Sequence, residues 1–119
     1  MRCCAHILNL IVKDGLDIIG PSLEKIRDSC VFWTGTLKRI EKFEETARQL
    51  RNNSTKRLCY DVKTRWNSTY IMLKTVLIYK DVFHRLKKRD AQYKTVLCEE
   101  DWNNAKLISE KLKIFYDVT

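Results

Sequence analysis

Two short groups of residues in this chain have the side-chain types that take part in chemistry, and the first pairs Cys3 with His6. On a regular helix, residues three apart share a face, so the thiol and the imidazole could act together on a third object. A zinc half-site is one interpretation, but zinc takes three or four ligands and no second Cys/His pair has matching spacing. The other interpretation is a buried cysteine beside a histidine that is hydrogen-bonded at a helix edge. We therefore predict no metal ion and no other cofactor for this chain.

The second group runs from Thr64 through Arg65 and Trp66 to Asn67. Thr64 has the side-chain type of an N-cap, which predicts that Arg65 and Trp66 lie at the start of a helix. Free backbone N–H groups and the positive end of the helix dipole attract phosphate at such a place. An arginine can bind phosphate with two hydrogen bonds while a neighbouring indole stacks on an unpaired base. The alternative is that Trp66 is the first core residue of its helix and Arg65 a surface cation.

The positive charge of the chain is concentrated in its middle. The formal net charge is +8, and residues 34–98 alone carry +10. A localised basic region suits a phosphate-binding surface, because neutralising phosphates releases condensed counterions. The alternative interpretation is a solvated basic face on a helical protein.

Composition limits the class of protein. A chain of 119 residues with 45% hydrophobic residues has room for one modest core, and three glycines and one proline are too few for a many-turned β fold. Five cysteines without paired spacing predict reduced thiols in the cytosol or nucleus. No apolar run approaches membrane-spanning length, so no membrane partner is expected. Both ends of the chain lie in helical patterns, which predicts a segment of a longer protein.

The predicted fold class is mainly α, with four or five amphipathic helices. A first helix is expected over residues 2–14, followed by a break at Gly20-Pro21 and a second helix capped by Ser22. A restart is expected at residues 34–36. The clearest amphipathic pattern then follows, with apolar residues three or four apart: Leu37, Ile40, Phe43, Ala47 and Leu50.

The second half of the chain predicts two more helices. A long helix is expected near residues 65–88, with Lys87, Lys88 and Arg89 at the negative pole of its dipole. Glu99, Glu100 and Asp101 suit the positive pole at the start of the last helix. The core stripe of that helix is predicted to contain Trp102, Ala105, Ile108, Leu112 and Phe115.

Catalysis by this chain alone is not expected. Asp61 precedes the Arg-Trp group, but two-metal phosphoryl transfer needs several acids that converge on ions about 4 Å apart. The acids here are scattered, mostly on the expected solvent faces of helices. His84 lies among lysines and arginines and is expected to be solvated.

Two segments, Arg2–Leu16 and Tyr60–Leu73, together resemble the hAT transposase family. The most similar group is the plant zinc finger BED domain-containing ricesleeper-like proteins, many of them domesticated. The resemblance spans essentially the whole chain, including the late Trp102. It implies an RNase H-like core that carries three acids and is interrupted by a helical insertion. Residues 1–20 would be the end of the first part of the core, and residues 21–119 the start of the insertion.

The resemblance assigns roles to the two groups described above. Cys3 and His6 match the family's Cys-x-x-His motif, whose histidine lies near the active site and the DNA end. Arg65 and Trp66 match its Arg-Trp motif, whose tryptophan stacks against a flipped base in hairpin formation. The predicted DNA-binding residues are therefore Cys3, His6, Thr64, Arg65, Trp66 and Asn67.

The function predicted from sequence is a nuclear, DNA-binding segment of a transposase or of a protein derived from one. The catalytic acids, the BED zinc finger and a region for homodimerisation are implied to lie outside this chain. Two alternatives stay open: a helical protein-interaction module, and a truncated reading frame without independent function.

Overall fold

The structure is a computed structural model of the chain, and it describes residues 20–59 and 66–118, with side chains described for 20–59 and 68–113. These residues form five helices and no strand, which confirms the predicted mainly α class. The helices are α1 (20–34), α2 (Leu37–Gln49), α3 (Trp66–Ile78), α4 (Lys80–Arg89) and α5 (Glu99–Val118). The helix predicted over residues 2–14 lies outside the described residues.

The predicted start of α1 is wrong. Gly20 and Pro21 are already helical, so Ser22 lies inside the helix and does not cap it. The Ser22 side chain is buried, and its hydroxyl donates a 2.7 Å hydrogen bond to Asp101 of α5. The Ser22 hydroxyl therefore bonds to a side chain of another helix and does not cap a backbone N–H of its own helix.

The restart predicted at residues 34–36 is confirmed, and α2 follows it. The Thr36 side chain accepts a 3.2 Å hydrogen bond from the Arg39 N–H, which caps the helix. Gly35 makes the turn compact, because a Cβ there would lie 3.2 Å from the Val31 carbonyl oxygen. The amphipathic pattern of α2 is confirmed in part: Phe43 and Ala47 are buried and Ile40 and Leu50 half-buried, but Leu37 is 70% exposed.

The core lies between two pairs of helices, with α2 packed against α4 and α3 packed against α5. Aromatic rings join the pairs: the Phe43 ring lies 5.2 Å from Tyr79 and 5.3 Å from Phe83, and Phe83 lies 6.0 Å from Trp102. The described part of the predicted α5 stripe is buried as expected: Trp102, Ala105, Ile108 and Leu112.

The single helix predicted over 65–88 is two helices, with a break at Tyr79. The Tyr79 N–H bonds to the Val76 carbonyl instead of continuing the α-helical pattern. The Ile78 carbonyl at the break accepts a 3.0 Å hydrogen bond from the side-chain amide of Asn52. The break is therefore stabilised by a segment far away in the sequence, which local periodicity cannot reveal.

Candidate nucleic-acid interface

The structure describes two of the six predicted DNA-binding residues. Trp66 and Asn67 are the first two residues of α3, at the helix start where the sequence placed them. Cys3, His6, Thr64 and Arg65 lie outside the described residues. Of the Arg-Trp group, the structure therefore describes only the backbone of Trp66, as the first residue of α3.

The helix that carries Trp66 is held firmly in the core. Thr69, Leu73 and Val76 are completely buried, and Tyr70 is nearly so. Among the side chains described for α3, the exposed ones are Ile71, Lys74 and Ile78. The other described side chains of α3 anchor it in the core or lie partly buried.

A second basic region lies where α2 ends. The Arg51 N–H bonds to the Arg48 carbonyl at 3.0 Å, and the Asn52 N–H bonds to the Ala47 carbonyl at 2.9 Å. These two bonds form a Schellman motif, whose left-handed position is occupied by Arg51 with φ of 58°. Glycine is the usual residue there, because other residues pay a steric cost in the left-handed region.

The segment that follows Arg51 is tied to the break between α3 and α4. The Tyr79 hydroxyl lies 2.6 Å from the Lys56 carbonyl oxygen and 3.1 Å from that of Ser54. The Asn52 amide bonds to the Ile78 carbonyl and lies 3.3 Å from an Asp81 carboxylate oxygen. The segment lacks regular secondary structure, but its backbone is held from one side by these contacts.

Four cations are displayed by the end of α2 and this segment: Arg48, Arg51, Lys56 and Arg57, called here the 48–57 cluster. All four are exposed. Among the described residues, no carboxylate forms an ion pair with any of them. Ion pairs in the described structure use other cations, including Lys25 with Asp101, Lys42 with Asp90 and Lys80 with Glu99. The 48–57 cluster therefore keeps its charge available for a partner.

A groove of about 790 Å³ separates α2 from the 52–58 segment. Its floor includes the apolar side chains of Trp33, Phe43 and Leu58. Glu41 and Glu44 line the α2 side, while Lys56 and Arg57 line the other side. Arg48 also lines the α2 side, so that wall carries charges of both signs, while the wall formed by the 52–58 segment is basic.

Asp101 lies in the first turn of α5, as predicted, but its contacts with α1 were not predicted. It is 5% exposed, and it accepts hydrogen bonds from the Ser22 hydroxyl at 2.7 Å, the Cys98 N–H at 3.0 Å and Lys25 Nζ at 3.3 Å. Burial alone would raise the pKa of Asp101, but the hydrogen bonds outweigh it and hold the pKa below its ordinary value of 3.8. The carboxylate therefore joins the start of α5 to α1. The only local signal was its position three residues after Cys98, the spacing of a capping box.

The described residues contain no group of three or more histidine, cysteine or acidic side chains placed to hold a metal ion. His84 is exposed, as expected, and its ring lies 5.9 Å from that of Trp102. In the described part of the chain, the helices are too short or too polar to span a membrane.

Comparison with known proteins identifies the fold. A family model described as the ZBED1 RNase-like helical domain matches residues 1–111. The chain belongs to this family. It is 42% identical over 117 residues to the zinc finger BED domain-containing protein RICESLEEPER 2 of Oryza sativa subsp. japonica, covering 98% of the chain and 16% of that protein. It is 38% identical over 121 residues to a putative AC transposase of Zea mays, covering 100% of the chain and 15% of the relative.

These relatives confirm the predicted kinship with plant hAT transposases and ricesleeper-like proteins. A more distant match is the zinc finger BED domain-containing protein DAYSLEEPER of Arabidopsis thaliana, 36% identical over 77 residues, covering 65% of the chain and 11% of that protein. No solved structure matches the chain. Because the chain spans 16% of RICESLEEPER 2, it corresponds to a helical domain within such proteins and not to the whole of one.

Proposed function

We propose that this chain is a DNA-contacting segment of a hAT-type transposase or of a protein derived from one, and that it acts in the nucleus. It holds a DNA end through its basic surface and through Arg65 and Trp66. It does not catalyse strand cleavage alone, and the catalytic acids belong to other parts of the parent protein. The observation that carries the proposal is the position of Trp66 in the first turn of a buried helix, in a member of this family.

In this proposal, the start of α3 combines an aromatic ring for a base with a binding site for a phosphate. The first turn of α3 offers free N–H groups and the positive end of the helix dipole to a phosphate. An indole in that turn can receive a base that has left the stack, and Arg65 can bind the phosphate next to it. Thr64 and Asn67 add short hydrogen-bonding groups. Buried residues from Thr69 onward hold this turn in place.

The other parts of the proposal follow from the family resemblance. Residues 1–20 contribute the end of the first part of an RNase H-like core, where Cys3 and His6 lie near the DNA end. Residues 21–119 begin the helical insertion. DNA is the partner, the chain uses no cofactor of its own, and homodimerisation depends on regions of the parent protein outside this chain.

Replacing Trp66 by alanine is expected to weaken binding to hairpin-ended DNA about tenfold, because stacking of one base on an aromatic ring contributes about 1–3 kcal/mol. Binding to a blunt duplex of the same stem sequence should change less than about twofold, since no extruded base is lost there. Fluorescence anisotropy with the two labelled DNAs measures both affinities. Trp66→Phe is the matched control, because it keeps an aromatic face and should retain most of the preference for the hairpin.

The interaction-module alternative gives a different result. It predicts association with a protein that does not depend on salt and is unaffected by Trp66→Ala. Equal loss of affinity for hairpin and duplex would also contradict the proposed role of Trp66, because it would indicate a general effect on folding.

A further inference from the structure

We propose that the 48–57 cluster is a separate binding site for the phosphate backbone of duplex DNA, placed to hold the double-stranded part of a substrate whose end lies at Trp66. This inference rests on the proposed function for the location of the DNA end. It assigns to Arg48, Arg51, Lys56 and Arg57 a role that is independent of DNA sequence and of base extrusion.

The backbone of the 48–57 cluster is ordered before DNA binds. The 52–58 segment carries two of the four cations, and Tyr79 holds its carbonyl groups at Ser54 and Lys56. Within the segment, the Ser54 N–H bonds to the Asn52 side chain and the Lys56 N–H to the Ser54 hydroxyl. A backbone already ordered loses less entropy when its side chains bind an anion.

Arg51 has a left-handed backbone conformation that is costly for arginine. An arginine occupies the left-handed position of a Schellman motif, where glycine would be more stable. Arg51 follows Arg48 by three residues, and both are exposed where α2 ends, so this helix end displays two arginines. Residues kept in costly backbone conformations concentrate at functional sites.

The positive charge of the 48–57 cluster is available to a partner. The four cations are exposed, and among the described residues they have no carboxylate in ion-pair contact. Arginine and lysine supply the hydrogen bonds and charge that phosphate binding requires. The nearby acids, Glu41 and Glu44, lie on α2 together with Arg48. A duplex therefore binds along Arg48 and the 52–58 segment, and Glu44, four residues before Arg48, is a like charge to its phosphates.

The distance between the two sites fits one duplex. Trp66 and Ile78 are the ends of α3, a helix of 13 residues, which rises about 20 Å. The 48–57 cluster is anchored beyond the far end of that helix, at Tyr79. Since base pairs are about 3.4 Å apart, a stem of about six base pairs spans this distance.

The main test removes three charges of the 48–57 cluster with Arg51→Gln, Lys56→Gln and Arg57→Gln together. Affinity for a hairpin with a stem of about 16 base pairs should fall about 30-fold, and the slope of log affinity against log salt should become shallower by about 2–3. A hairpin with a stem of about four base pairs should be bound as well as by the unchanged chain. The matched control removes three cations from α5 by Lys106→Gln, Lys111→Gln and Lys113→Gln, and should change the slope by less than about one.

Two single variants separate binding from folding. Arg51→Gly should raise the midpoint of thermal unfolding by up to about 4 °C, because glycine adopts the left-handed conformation at a lower steric cost. It should also weaken duplex binding, because it removes a positive charge. Glu44→Gln should tighten duplex binding about threefold by removing a like charge near the phosphates. Glu45→Gln, the adjacent residue on α2 and not part of the groove lining, should have a smaller effect.

The outcomes distinguish the two proposals. Binding of hairpins by the unchanged chain, with loss of affinity on Trp66→Ala, supports the proposed function. If the triple variant of the cluster then has the same hairpin affinity and salt dependence as the α5 control, the assignment of the 48–57 cluster is wrong. Equal losses on short and long stems would also overturn it. If neither DNA is bound by the unchanged chain, the proposed function itself fails.

Discussion

Replacing Asp101 by alanine is expected to lower the free energy of unfolding by about 2–4 kcal/mol. The change removes the acceptor for four donors: the Ser22 hydroxyl, the Cys98 N–H, the Cys98 thiol and Lys25 Nζ. The Cys98 N–H is one of the unpaired donors at the start of α5, and loss of such a cap alone costs about 1 kcal/mol. Ser22 is buried, so its hydroxyl keeps a desolvation cost without its strongest partner. Denaturation by urea, followed by circular dichroism, measures the change.

The same carboxylate predicts how stability depends on pH. Its pKa in the folded chain lies below the ordinary value of 3.8, because its hydrogen bonds outweigh the effect of burial. The stabilisation is therefore fully present above the unfolded pKa and is lost as the pH falls through the folded pKa. Asp90, whose pKa is lowered chiefly by its hydrogen bond from Lys42, adds to the same trend. Asp101→Asn should reduce the loss of stability between about pH 5 and pH 2.

Glu100→Ala is the control for both measurements. Glu100 lies in the same first turn of α5 but is exposed, so only its interaction with the helix dipole is lost, about 0.5 kcal/mol. If Asp101→Ala costs no more than Glu100→Ala, the carboxylate does not join α5 to α1 as described.

Replacing Phe43 by alanine is expected to cost about 3–5 kcal/mol, the largest effect of a single change in α2. The ring is 6% exposed and contacts Tyr79 and Phe83 edge to face. Its removal leaves a cavity between α2 and α4 and removes one packing contact of Tyr79. Since Tyr79 holds the 52–58 segment, the 48–57 cluster should also lose order. The midpoint of urea denaturation measures the first effect, and duplex affinity in the absence of urea measures the second.

Two variants make this prediction specific. Phe43→Leu keeps most of the volume and should cost less than about 1.5 kcal/mol, so it preserves a folded chain for the binding measurement. Leu37→Ala changes an apolar residue on the same helix that is 70% exposed, and should have almost no effect. Similar losses for Phe43→Ala and Leu37→Ala would show that the aromatic contacts contribute little.

The sequence predicted those elements whose signals are local. The amphipathic spacing of α2 and the stripe from Trp102 to Leu112 identify helices without knowledge of their partners, because their apolar faces repeat at the helical period. The start of α3 was placed near residue 65 by another local signal, the N-cap side-chain type of Thr64. Family membership also followed from sequence, through two motifs in the expected order.

The missed features depend on residues far apart in the chain. Asp101 was predicted only to suit the dipole at the start of α5, but it also bonds to Ser22, 79 residues away. The break at Tyr79 depends on the 52–58 segment, 23 to 25 residues earlier. The left-handed conformation of Arg51 could not be foreseen, because glycine is the residue that usually marks this position. For Asp101 and Tyr79, a tertiary contact overrides local preference.

The most direct test of the central claim is the fluorescence of Trp66 during DNA binding. The chain has three tryptophans, and Trp33 and Trp102 are buried at 1% and 2% exposure, so a DNA base cannot stack on them. A titration with hairpin-ended DNA should quench the emission of the unchanged chain and leave that of Trp66→Phe nearly constant, although both bind. A blunt duplex should quench neither. Equal quenching of both chains, or hairpin binding without any quenching, would contradict the claim that Trp66 holds an extruded base.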